Sequence, residues 1–241
     1  MPWGIPRQQL MAARPLLSPG MRRPAALLAA GCVVVTICLA LAFGHQANPD
    51  RLDAAVDSWL RSALGGYDAQ LQMLRQLGGL YWVTGLTAAL VLACLLTRRW
   101  RGAVLAALAV PVAMTLTEFV LKPLVGRSIR GYASFPSGHA TAMFALAAIC
   151  AVLLANPKRP RLPRAVRLLL AAGAVLVAIA VPVAMVAQGY HYFTDIVAGA
   201  AVGIGTVLLI TLLIDLARPA DRAPRGAAVE DTAALSAGRL P

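Results

Sequence analysis

Two of the three histidines in this chain stand where an imidazole could do chemistry. Asp195 follows His191 by four residues. On a helical turn that spacing sets a carboxylate beside one ring nitrogen and leaves the other free as a nucleophile. His139 closes the stretch Phe135-Pro136-Ser137-Gly138-His139, directly before an apolar run, where it could protonate a leaving alkoxide as general acid. Ser137 and Gly138 mark a helix start: the hydroxyl can cap it, and free backbone N–H groups at the positive dipole end favour an anion. Just upstream, Lys122, Arg127 and Arg130 gather positive charge, and the guanidinium fork suits phosphate oxygens. Together these residues predict phosphoryl transfer, with His191, His139 and Asp195 catalytic and Lys122, Arg127, Arg130, Ser137 and Gly138 holding phosphate. Two histidines and an aspartate could instead ligate a cation, but the lysine and two arginines would repel it, so neither metal nor cofactor is expected.

These residues must be carried by a membrane protein. Of the 241 residues 59% are hydrophobic and 13% charged, against about 45–50% and 25% in soluble domains, more apolar surface than one core of this size can bury. Six segments approach the roughly 20 apolar residues needed to span a bilayer as a helix: 24–43, 77–97, 103–121, 138–155, 168–187 and 196–216. The expected fold is an all-α bundle of six transmembrane helices. Sixteen of the 22 basic residues fall on one side of these spans and six on the other. The positive-inside rule then makes both termini cytoplasmic. The fourth and fifth spans form a hairpin through the cytoplasm, so His139 and His191 return to the extracytoplasmic face although 52 residues apart.

The remaining features bound the domain plan. Residues 1–23 read as a basic cytoplasmic segment, 24–216 as the membrane domain, with an uncleaved first helix, and 217–241 as a disordered tail. Within the outer 44–76 loop, Leu52, Val56, Trp59, Leu60 and Leu64 have helical spacing, giving a helix that either lies in the interface or packs over the bundle. Glu118, four residues before Lys122, reads as an intrahelical partner that lowers the cost of an acid in the membrane or as a group orienting the lysine. The net charge of +12 is scattered in short clusters with no basic stripe, which argues against nucleic acid as a partner. Cys32, Cys38, Cys94 and Cys150 lie in apolar runs as small hydrophobes.

Lys122-x4-Arg127, Pro136-Ser137-Gly138-His139 and His191-x3-Asp195 resemble, in order and interval, the three motifs of the type 2 phosphatidic acid phosphatase (lipid phosphate phosphatase) superfamily. The resemblance implies a six-helix multi-pass protein of the cell membrane that needs no metal. It implies that His191 attacks phosphorus, Asp195 holds it, His139 protonates the leaving group, and Lys122, Ser137 and Gly138 hold phosphate. Two departures stand out. The family's first motif ends in Arg-Pro where this chain has Ile129 and Arg130, and its third motif has Ser-Arg where this chain has Ala184 and Met185. Gln188 brings a hydrogen-bonding group but no charge. The expected substrate is a lipid phosphate or diphosphate: phosphatidic acid, phosphatidylglycerol phosphate or a polyprenyl diphosphate. The rival readings are a non-catalytic lipid-phosphate binder or translocator, which the missing arginine favours, and a small transporter, which clustering of the polar residues at one surface disfavours.

Overall fold

The structure, a computed structural model, describes residues 15–155 and 162–217. Helix α1 (Pro19–Phe43) opens with proline at its first position, where no backbone donor is lost. Two short helices follow: α2 (Arg51–Leu64), capped by Asp50, which accepts from Asp53 N at 2.7 Å, and α3 (Asp68–Leu77). Next come α4 (Leu80–Leu96) and α5 (Trp100–Thr115), which continues through a π-helical segment, Leu116–Leu121, into the turn α6 (Lys122–Val125). A small hairpin, β1 (Ser128–Ile129) with β2 (Tyr132–Ala133), leads to α7 (Gly138–Ala155), α8 (Arg164–Ala187) and α9 (Phe193–Leu216).

Among the described residues five stretches are long and apolar enough to cross a bilayer: Pro19–Phe43, Trp100–Val125, Gly138–Ala155, Arg164–Ala187 and Phe193–Leu216. The sixth span expected at 77–97 is instead a pair, α3 and α4, bent by 50° at Gly78–Gly79. The bend is local packing: a Cβ on Gly78 would stand 2.6 Å from the His139 ring and 2.7 Å from Val181. Leu27, Leu41, Phe119 and Leu169 point outward, exposed by 72–81%, as befits a surface solvated by lipid.

Small residues line the centre. Ala106, Ala109 and Ala113 of α5 and Ala145 of α7 are fully buried, and helices in lipid associate through such close approaches. The tightest crossing joins α7 to α9. A Cβ on Gly199 would lie 2.5 Å from the Ser137 carbonyl oxygen, and one on Gly203 would strike that of Thr141. At the far end of α9, buried Asp215 accepts from the N–H groups of Leu16 and Leu17 at 2.8 and 2.9 Å and from Arg101 at 3.2 Å. It ties the chain ahead of α1 to the last helix.

Of the two readings of the helix at 51–64, the structure takes the packed one. Leu60, with Val56 and Leu64, sits on Ala140, Val186 and Ile196, while Leu52 and Trp59 face out. Asp53 and Asp57 turn inward and are buried. The first fourteen residues, the 156–161 part of the basic loop and the tail from 218 lie outside the described residues.

Candidate active site

The N-terminal ends of α7 and α9 share one end of the bundle, and a cavity of about 580 Å³ opens there. His139 and His191 both line it, although α8 separates them in sequence. Lys122 and Arg130 line it too, as does Gly138. Leu80, Val83, Met114 and Met185 make the remaining wall largely apolar. Met185, where the resemblance leads one to expect an arginine, contributes a thioether to the wall.

Local backbone chemistry aims each group. Ser137 is fully buried, and its hydroxyl accepts from Ala140 N at 3.3 Å. It caps α7 and is not part of the cavity lining, which moves it from the expected phosphate contacts to their support. Its backbone N–H donates to the Asp195 carbonyl at 3.0 Å, joining the second motif to the third. Arg130 and Gly131 both have positive φ, 49° and 83°, the two-residue turn that matches the twist of a hairpin. For an arginine that conformation costs about 1 kcal/mol or more. It carries the guanidinium across to Gly189, where a Cβ would stand 3.1 Å from Nη2, two residues from His191. Arg75 adds a further cation near the site, its guanidinium 4.8 Å from the Tyr190 ring.

Lys122 is already paired. Its ammonium donates to both Glu118 oxygens, at 2.7 and 2.9 Å. A Cβ on Gly138 would lie 2.5 Å from Glu118 Oε1, so the carboxylate sits against the first turn of α7, where an anion is favoured. The intrahelical pair expected from the sequence therefore exists, and its carboxylate also lines the cavity. An anion that takes Lys122 has to compete with Glu118 for it. Glu118→Gln is expected to tighten the binding of orthophosphate about tenfold, the equivalent of ~1.4 kcal/mol. A Kd unchanged or raised would remove the carboxylate from that competition.

Arg127 requires a correction. It is fully buried and absent from the cavity lining. Its Nη1 donates to Asp195 Oδ1 and Thr194 Oγ1, both at 2.7 Å, and its Nη2 to Asp53 Oδ2 at 2.5 Å. Phe43 and Tyr192 each present a ring 4.5 Å away. Nothing of it faces a substrate, because the carboxylates have claimed the fork that was expected to take phosphate. Removing one partner from such a buried ionic group strands the others and typically costs ~3–5 kcal/mol.

Asp53 and Asp57, unmarked in the sequence reading, are the other half of this arrangement. Asp53 Oδ1 accepts from Thr194 N at 2.9 Å and Asp57 Oδ1 from Phe193 N at 3.2 Å. Asp195 Oδ2 accepts from Tyr192 N at 3.1 Å. Three carboxylates thus take the free donors of the first turn of α9, as a helix N-terminus requires. Asp195 Oδ2 lies 3.6 Å from His191 Nδ1, ion-pair reach for a protonated ring and longer than a hydrogen bond. Among the described residues no group of three or more His, Cys, Asp or Glu is arranged to hold a metal ion.

Burial, with the Asp53 carboxylate beside it, pushes the Asp57 carboxyl up to about 6 against the opposing pull of Phe193 N–H and Arg61. The folded state therefore holds this proton more tightly than the unfolded chain. The stability this contributes is complete below pH ~4 and is lost as pH rises through ~6. Asp57→Asn abolishes the titration, so in detergent the melting temperature of the variant relative to wild type is expected to rise between pH 4 and 7. A constant difference would show that Asp57 does not titrate in this way.

Fold and site together describe a membrane protein of apolar helices with a cavity at one end lined by two histidines, a lysine and an arginine. Residues 118–219 match the PAP2 superfamily, which bears out the resemblance over the segment that contains all three motifs. In fold the chain is similar to the crystal structure described as the first transmembrane PAP2 type phosphatidylglycerolphosphate phosphatase from Bacillus subtilis. The TM-score is 0.61 at 19% identity, over 76% of this chain and 93% of that one. No curated protein matches the sequence.

Proposed function

We propose that this protein hydrolyses a lipid-linked phosphate or diphosphate at the extracytoplasmic face of the cell membrane, through a phosphohistidine on His191. One observation carries the reading: the imidazoles of His139 and His191 line the same cavity as Lys122 and Arg130, at one end of a bundle of apolar helices. The greater share of basic residues that the sequence assigns to the other side of the spans supports the orientation.

In the first step the free ring nitrogen of His191 attacks phosphorus, with Asp195 holding the other nitrogen. The N–P bond forms as the P–O bond to the lipid breaks, and His139 gives its proton to the departing oxygen. A small ring rotation closes the 3.6 Å gap to Asp195, in line with the tightening of catalytic hydrogen bonds once substrate is present. Water then attacks phosphorus, passes a proton to His139, and phosphate leaves with His191 restored. Lys122, Arg130 and the first turn of α7 at Gly138 hold the phosphoryl oxygens. Arg130, packed against Gly189, supplies the charge that Met185 withholds.

The apolar wall accepts an acyl or prenyl tail and does not choose among them. The purified protein in detergent with EDTA is therefore to be given phosphatidic acid, phosphatidylglycerol phosphate and a polyprenyl diphosphate in parallel. Release of inorganic phosphate from at least one is expected. Binding of these lipids without release would favour the non-catalytic reading, to which Met185 and the Glu118–Lys122 pair lend support.

A further inference from the structure

We infer that Asp53, on α2, is a positioning residue of this active site: it fixes Arg127, Arg127 fixes Asp195, and Asp195 thereby presents a set carboxylate oxygen to His191. The inference rests on the phosphatase reading above and extends the working site beyond the segment that carries the family motifs, since α2 precedes residue 118.

The geometry is a closed ring. Asp53 Oδ2 accepts from Arg127 Nη2 and, at 2.9 Å, from Thr194 Oγ1, which itself accepts from Arg127 Nη1. Asp53 Oδ1 takes the Thr194 backbone N–H. The remaining bond of Nη1 goes to Asp195 Oδ1 at 2.7 Å. Asp53, Arg127 and Asp195 are all fully buried, so no water competes for these atoms. The Asp195 carboxylate is held at one oxygen by Arg127 and at the other by Tyr192 N–H, which leaves it one orientation toward His191 Nδ1. The ring also divides the charge of Arg127 between two carboxylates. Without Asp53 the guanidinium would turn wholly to Asp195 and draw it from the imidazole.

Asp53 is not alone in docking α2. Leu60, Val56 and Leu64 pack on Ala140, Val186 and Ile196, and Asp57 separately caps Phe193 N–H. Its removal should therefore register in the chemistry while the helix stays in place.

The test is a double-mutant cycle on the full chain in detergent, with short-chain phosphatidic acid as substrate and orthovanadate as probe of the phosphate cradle. Asp53→Asn is expected to lower kcat about 100-fold, the usual cost of a misplacement near 1 Å, with KM and the vanadate Ki within about twofold of wild type. In an Arg127→Met background the same substitution should change kcat less than threefold, because the link it acts through is gone. Equal losses in both backgrounds, or a loss carried by KM and vanadate, would overturn the proposal. If either variant fails to fold, Thr194→Val opens the ring more gently. A tenfold fall in kcat at constant KM supports the inference, and an unchanged kcat overturns it. Should wild type turn over no lipid, the phosphatase reading fails on its own, and carbethoxylation of His191 by diethyl pyrocarbonate, read by mass spectrometry, still reports on Asp53. The reaction should slow several-fold in Asp53→Asn, and an unaltered rate would count against the coupling.

Discussion

His191→Ala should release no phosphate above background from any lipid phosphate, a fall of at least about 10⁵-fold, since losing a nucleophile that acts as part of a unit removes nearly all of the chemistry. His139→Ala should fare better by an amount that depends on the leaving group. General acid catalysis is worth about 10²–10⁴-fold when a poor leaving group must be protonated. A lipid alkoxide is such a group and p-nitrophenolate is not. The defect of His139→Ala is therefore expected to shrink by at least tenfold when phosphatidic acid is replaced by p-nitrophenyl phosphate, whereas that of His191→Ala should not shrink. With ³²P-labelled aryl phosphate, His139→Ala should also accumulate acid-labile label, because the residue that activates water in the second step is missing. Both histidines lie at helix starts, outside the central core, so the variants should insert and melt like wild type. Full activity of either, or label retained in His191→Ala, would dismantle the assignment of nucleophile and acid.

The sequence disclosed the site in unequal parts, and the inequality has a physical cause. Spans and motifs follow local rules, namely a run of apolar residues long enough to cross lipid and a serine before a helix. The apposition of His139 and His191 followed from the hairpin alone. Arg127 is ambiguous in the sequence because a guanidinium fits a carboxylate as well as a phosphate, and only the approach of Asp53, 74 residues away, tells them apart. Asp53 and Asp57 carry no signal in the sequence, because the helical spacing of Leu52, Val56, Trp59, Leu60 and Leu64 marks apolar positions and says nothing about partners for the acids between them. In the structure Leu52 and Trp59 are exposed by 52% and 65% while both aspartates are buried, since the first turn of α9 supplies donors that no periodicity on α2 reveals. Helix α3 escaped notice for a simpler reason. At ten residues with three glutamines, an arginine and an aspartate, it leaves no trace in an average taken over a span. The sequence does carry a signal for the contact of α7 with α9 in Gly199-x3-Gly203, a spacing that in an apolar helix marks a close helix contact.

That contact sets the distance on which the site depends, so Gly203→Leu is expected to have the largest effect of any substitution remote from the cavity. Gly203 faces the Thr141 carbonyl and the Ala145 backbone N, the latter 2.9 Å from where a Cβ would be, and Gly199 is as close to Ser137. Leucine at 203 can enter only by pushing α7 from α9. That motion pulls at the Ser137 N–H···O Asp195 bond, and with it at the separation between the acid on α7 and the carboxylate on α9. Activity should fall by about 100-fold or more on geometric grounds, and overpacking should destabilise the protein by ~1–3 kcal/mol, seen as a lower melting temperature in detergent. Gly203→Ala should show the same effects in weaker form. Gly85→Ala and Gly173→Ala supply the comparison: a Cβ at either meets nothing within 4 Å, so helix propensity alone should leave those variants equal to wild type or slightly more stable. A fully active Gly203→Leu would mean that α7 and α9 can part without disturbing the histidines, and that the site is held together from some other quarter.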